Sequence, residues 1–216
     1  MNYRCVIFDM DGTLADTIDD LTLHINKALE ERGFAPAPAE EYLKMQGREI
    51  DALVMNALPP GPENPRLVKE LAERAIAIYS ETPRRLTKVY PGIRELLLEL
   101  KRKKIKCAAL SNKPDRMLNA EIAFLFPPGT FEQACGARPD IPAKPDPAAV
   151  WELLSELDVT PRDTILAGDS GTDIKTALAA GCHALGVSWG YRDVPALKAA
   201  GAQRIIHEPR ELLELL

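Results

Sequence analysis

The chain has 216 residues, 46% of them hydrophobic and 27% charged, which suits one domain or one domain carrying a sizeable insertion. A formal charge of -5 gives phosphate backbone no attractive field and argues against a nucleic-acid partner. No apolar stretch of signal-peptide length precedes Asp9 and none is long enough to span a bilayer, so a cytoplasmic protein without a membrane partner is expected.

The first element is a hydrophobic strand at Val6, whose continuation reads "VIFDMDGTLADT". Cys5 beside it, with Cys107, Cys135 and Cys182, forms no C-x-x-C pair, and the four read as free thiols in a reducing compartment. Residues 17–32 carry helical apolar spacing at Ile18, Leu21, Ile25, Ala28 and Leu29, stopped by Gly33. Helices follow at about 39–58 and 65–80, separated by Pro59-Pro60-Gly61-Pro62. No strand candidate interrupts 17–82.

From Pro91 the chain alternates. The pattern predicts a helix at 92–103 and a strand over Ile105–Leu110, then a helix at 114–125 and a short strand near Phe131–Ala134. A helix at 147–157, a strand at Thr164–Ala167, a helix at 171–180 and a strand at Ala184–Val187 come next. A helix at 194–200, a strand at Arg204–Ile206 and a helix from 208 finish the chain. The basic run Lys101-Arg102-Lys103-Lys104 closes one of these helices, where cations suit the dipole, and reads as a solvated face. Such alternation implies a Rossmann-like α/β core, a parallel sheet with helices on both faces, interrupted after its first strand by an all-helical block. The expected division is 1–16 with 83–216 as core and 17–82 as cap.

Sites in open parallel sheets form beyond the C-terminal strand ends. There the sequence places Asp9 and Asp11, then Ser111-Asn112-Lys113, then Lys144 in "AKPDP", then Asp169 and Asp173 in "GDSGTD". Side chains two apart on extended backbone share a side, so Asp9 and Asp11 can both face the site, and Gly12 lets the chain turn. Four close carboxylates demand a neutralising cation, and an all-oxygen set without His or Cys suits Mg²⁺. A phosphoryl group would fit between that cation, Lys144, the Ser111 hydroxyl and the helix N-terminus after it, and an ionised aspartate there can attack phosphorus.

"DMDGT", "LSNK", "AKPDP" and "GDSGTD" resemble the four motifs of the haloacid dehalogenase superfamily, in order and on the matching elements. The block at 17–82 resembles the cap of its helical-cap subfamily. The resemblance implies Asp9 as nucleophile forming an aspartyl-phosphate and Asp11 as general acid/base. Ser111 and Lys144 would hold phosphoryl oxygens, with Gly12, Thr13 and Asn112 beside them. Asp9, Asp169 and the backbone carbonyl of Asp11 would ligate Mg²⁺, supported by Asp173. Family dehalogenases lack the second aspartate, so phosphate-ester chemistry is implied.

"DGTLADTIDDL", "SNKP" and "GVSWGYRDVPALKAAGAQRIIHEPREL" look most like phosphoglycolate phosphatases and close relatives. The expected partner is then a small phosphorylated metabolite, 2-phosphoglycolate first. Gln46, Gly47 and Arg48 of the cap and Lys113 are the candidates to read its organic part, although Arg48 also reads as an ordinary surface charge. A sugar-phosphate mutase on the same core, a receiver-like module and a catalytically silent binding protein remain alternatives, and either a monomer or a homodimer is expected.

Overall fold

A computed structural model describes residues 3–45, 47–61, 64–82 and 86–216; Gln46 and the pair Arg84-Arg85 lie outside them. The chain opens with the fully buried strand β1 (Cys5–Phe8) and, after the acidic turn, a two-residue strand β2 (Ala15–Asp16). Four helices follow: α1 (Ile18–Glu31), α2 (Ala39–Lys44), α3 (Ile50–Ala57) and α4 (Pro65–Glu81). Asn64 caps α4 by accepting from the Leu67 amide at 3.1 Å, and Pro65 takes the first helical position, where no amide hydrogen is needed. The single helix expected over about 39–58 is broken in two. Gly47 lies in the break with φ +86°, a left-handed conformation that an α-helix cannot carry.

The chain returns through β3 (Lys88–Val89), which pairs antiparallel with β2, Ala15 opposite Val89 and Asp16 opposite Lys88. This ribbon joins the entry and exit of the helical insertion. The Asp20 carboxylate reinforces it from α1, accepting from the amides of Leu86 (3.1 Å) and Thr87 (2.7 Å) and from the Thr87 hydroxyl (2.7 Å).

Next come α5 (Ile93–Arg102), β4 (Lys106–Pro114), α6 (Asp115–Leu125), β5 (Gln133–Ala137) and α7 (Ala148–Leu157). They are followed by β6 (Thr164–Gly168), α8 (Gly171–Ala180), β7 (His183–Val187), α9 (Val194–Ala200) and β8 (Arg204–Ile206). The expected last helix is a 3-10 segment, Pro209–Leu215. The residues Lys101 to Lys104 are exposed at the end of α5.

Six strands form one parallel sheet in the order β5-β4-β1-β6-β7-β8. Alternation along β1 divides its side chains between two apolar layers. Val6 and Phe8 pack with Leu96 and Leu100 of α5 and Leu118 of α6, whereas Cys5 and Ile7 pack with Leu153 of α7 and Ile174 of α8. The insertion has its own cluster, including Ile25, Tyr42, Leu71 and Tyr79, to which α6 contributes Met117. All four cysteines are buried free thiols. No helix among the described residues is long and apolar enough to cross a membrane.

Candidate active site

Asp9 follows β1 directly and stays tied to the sheet, its amide donating to the Ala167 carbonyl at 2.9 Å. The chain then turns away: the amides of Leu14 and Ala15 fold back onto the Met10 carbonyl, each at 3.1 Å. Gly12 sits in this turn at φ +90°, and a Cβ there would run into the Asp169 carboxylate and the Tyr191 ring. Only glycine satisfies both conditions. Gly12 therefore shapes the turn against a metal-ligand candidate.

Lys144 is the buried cation of the site. Its ammonium donates to Asp9 Oδ1 (2.8 Å), Asp173 Oδ1 (2.6 Å) and the Leu110 carbonyl (3.2 Å), which uses all three protons. Burial disfavours the charge, but Asp173 and Asp9 outweigh that and raise its pKa. Asn112 splints the Lys144 loop: its Oδ1 accepts from the Lys144 amide at 2.8 Å and its Nδ2 donates to the Lys144 carbonyl at 3.0 Å. The same Nδ2 reaches the Gly47 carbonyl of the insertion at 2.9 Å. The side chain of Asn112, which lines the cavity described below, is thus committed to backbone.

Asp9, Asp169 and Asp173 bring three carboxylate oxygens within 4.8 Å of one another, all from buried residues. Burial and the facing Asp173 lift Asp169 to about 7, against the opposing pull of the Tyr191 amide, which donates to Asp169 Oδ2 at 2.7 Å. Burial, then Asp173, push Asp9 well above the ordinary carboxylate range, with Lys144 opposing. Hard oxygen donors crowded to this degree suit a divalent cation. Asp173 is fixed by the capping box of α8, accepting from the Ser170 amide (3.0 Å) and hydroxyl (2.6 Å). Thr13 is fully buried with its hydroxyl on Asp169 Oδ1 at 3.3 Å. It steadies a metal-ligand candidate.

Asp11 is held by a different set of partners. Its carboxylate lies outside the Asp9–Asp169–Asp173 cluster and meets the Thr17 hydroxyl, Lys113 Nζ at 2.6 Å and, at a long 3.5 Å, the Ser111 hydroxyl. Ser111 Oγ also accepts from the Lys113 amide at 3.1 Å. Lys113, a candidate to read the substrate, lines the cavity described below; its side chain is only 2% exposed, and its ammonium is paired with Asp11 and Glu121. These residues lie where they do because β4 stays extended through Ser111-Asn112-Lys113, its register shifting between Leu110 and Pro114. Glu121, Tyr79, Thr17 and Tyr191 were not singled out from the sequence. Glu121 alone left a signal there, a carboxylate on the apolar face of α6 between Leu118 and Leu125.

Asp9, Asp11, Ser111 and Lys144 line a cavity of about 30 Å³, room for a water or two. The insertion closes it with Gly47, Arg48 and Leu53. Arg48 is exposed, and Arg192 adds a tie between core and insertion by donating to the Lys44 carbonyl at 3.1 Å.

Residues 6–187 match the family model described as haloacid dehalogenase-like hydrolase. A phosphoglycolate phosphatase of Pseudomonas putida is 32% identical over 213 residues, covering 97% of this chain and 78% of its own. One from Haemophilus influenzae is 30% identical over 221 residues, covering 99% and 98%. The crystal structure of a Lactobacillus delbrueckii subsp. bulgaricus protein, provisionally assigned as a phosphoglycolate phosphatase, is 30% identical. It superposes with a TM-score of 0.87, covering 100% of this chain and 98% of that one.

Proposed function

Because the chain belongs to the haloacid dehalogenase-like hydrolases, we propose that it hydrolyses a small phosphomonoester through an aspartyl-phosphate on Asp9. One observation carries the reading: Asp9, paired with buried Lys144 and clustered with Asp169 and Asp173, shares a cavity with a separately held Asp11. A divalent cation, Mg²⁺ by the all-oxygen set, would be held by Asp9, Asp169 and Asp173 and would neutralise carboxylate and phosphoryl charge.

In the first step an Asp9 carboxylate oxygen bonds to phosphorus as the bond to the ester oxygen breaks, and Asp11 gives its proton to that leaving oxygen. In the second, water attacks the same phosphorus, passes a proton to Asp11 and frees Asp9 and inorganic phosphate. Lys144 and the Ser111 hydroxyl steady phosphoryl oxygens throughout. The helical insertion, residues 17–82, acts as a cap over a core formed by 1–16 and 83–216.

The substrate we favour is 2-phosphoglycolate, the activity named for the relatives above. With Lys113 paired to Asp11 and Glu121, Arg48 is, among the described residues, the exposed cation at the cavity wall for a substrate carboxylate. The test is a panel of small phosphate metabolites ranked by kcat/KM with Mg²⁺, repeated on Asp9→Asn. We expect phosphoglycolate to lead, and Asp9→Asn to lose about 10⁴-fold or more of the turnover. Near wild-type turnover by Asp9→Asn would end the covalent mechanism; bulky sugar or nucleotide phosphates at the head of the ranking would end the substrate assignment.

A further inference from the structure

The ammonium of Lys113 has three protons and meets three acceptors. Asp11 Oδ1 lies at 2.6 Å, Glu121 Oε2 is in direct contact, and the Tyr79 ring stands 5.2 Å away, centroid to Nζ. Tyr79 is used twice, because its hydroxyl also donates to Glu121 Oε1 at 2.7 Å. The His24 ring packs edge-on against it at 5.1 Å, so α1 and α4 together hold the phenol in place. Three elements thus build one cage: Lys113 from β4, Glu121 from α6 and Tyr79 from the insertion.

Packing alone does not account for this cage. Glu121 is wholly buried on an α6 face that otherwise presents Leu118 and Leu125. A buried ion pair is often no better for stability than apolar side chains of the same size, which directs attention to what this one orients. Among the described residues, the carboxylate at its outer end is Asp11, which already has the Thr17 hydroxyl on the same oxygen as Lys113.

We propose that Glu121 and Tyr79 are positioning residues for Asp11: they hold Lys113 where it orients the Asp11 carboxylate toward the leaving oxygen, and only while the insertion is docked. The inference rests on the reading of Asp11 as acid/base. Glu121 fixes the ammonium from the core side. Tyr79 closes the cage from the insertion side, so undocking the insertion removes both the ring and the hydroxyl bond. Asp11 then loses its fixed orientation, and proton delivery waits on closure.

The test uses the full-length, Mg²⁺-loaded protein with Glu121→Gln, Tyr79→Phe and the double variant. Two esters are compared by rapid quench: 4-nitrophenyl phosphate, whose leaving group departs without a proton, and 2-phosphoglycolate, whose alkoxide needs one. Turnover of the alkyl ester should fall about 10²-fold in each single variant, in keeping with loss of an acid/base. The first-turnover burst of 4-nitrophenolate should fall far less and be followed by slow steady-state release. The double variant should be no worse than the poorer single, because the two residues act on one ammonium.

Equal losses for the burst and for the alkyl ester, or unchanged turnover of both, would overturn the proposal. Tyr79→Phe removes a single hydroxyl and keeps the test open if Glu121→Gln does not fold. A wild-type protein inert toward every phosphomonoester would instead remove the phosphatase reading itself.

Discussion

At Asp169 two effects oppose each other: burial and the neighbouring Asp173 disfavour its charge, while the Tyr191 amide favours it, and the first pair prevails. Asp9 is pushed the same way. A carboxyl whose folded pKa exceeds its unfolded value holds more protons when folded. Its stabilising contribution is therefore complete below about pH 4 and is lost as pH climbs toward about 7. Mg²⁺ bound by these oxygens would reverse that loss but must displace their protons. We therefore expect Mg²⁺ to raise Tm by several degrees at about pH 8 and by little at about pH 5.5, measured by calorimetry. An equal rise at both would place the ion elsewhere. That these carboxylates and Lys144 gather at one edge was legible in the strand ends alone. The partners of Asn112, Thr13 and Lys113 were not, because they come from segments far away in sequence, such as Gly47, Asp169 and Asp11. A side chain's type says what it can bond, and only the tertiary fold says what is already bonded to it.

Among the elements, stretches that carry an apolar pattern were readable, even a strand as short as Arg204–Ile206, and those without one were not. The α1 stripe of Ile18, Leu21, Ile25, Ala28 and Leu29 is the buried face, because 3.6-residue spacing over four turns has one solution. The β2–β3 ribbon has two residues a side, too few to carry a pattern, and β4 extends past Leu110 on polar residues that hydrophobicity could not flag. The ribbon also owes much to Asp20, whose 1% exposure and three bonds to Leu86 and Thr87 tie α1 to the returning chain. Asp20→Ala strands two amides and a hydroxyl, each costing about 1–3 kcal/mol if it stays unpaired and dry. Partial access of water should reduce the total, so we expect a destabilisation of about 2–4 kcal/mol in urea unfolding. A change below about 0.5 kcal/mol would mean that the ribbon holds without the clip.

At the scale of the molecule, two apolar layers on the sheet and a third inside the insertion meet across a few specific contacts. Asn112 to Gly47, Arg192 to Lys44 and Tyr79 to Glu121 are polar ties that can be made and broken, with Met117 as an apolar seat. The cavity behind them, about 30 Å³, is far below the several hundred expected of a small-molecule pocket. A cleft of about 460 Å³ lined by Gly47, Arg48, Asn112 and Lys144 adjoins that cavity, and for the phosphomonoester proposed above we expect the insertion to swing out on the paired linkers for entry and back to exclude water. In the sequence, Arg84 and Arg85 fall between the described residues Thr82 and Leu86, a pair that trypsin can recognise. Mg²⁺ with beryllium fluoride, which imitates a phosphorylated aspartate, should favour the closed arrangement and slow cleavage there by about tenfold, scored by mass spectrometry of the fragments. Asn112→Ala removes the Gly47 tie, so cleavage of the ligand-free protein should quicken. A cleavage rate indifferent to saturating ligand and to Asn112→Ala would mean that the insertion is fixed, and access to Asp9 would then have to come from motion of the side chains that line the cavity.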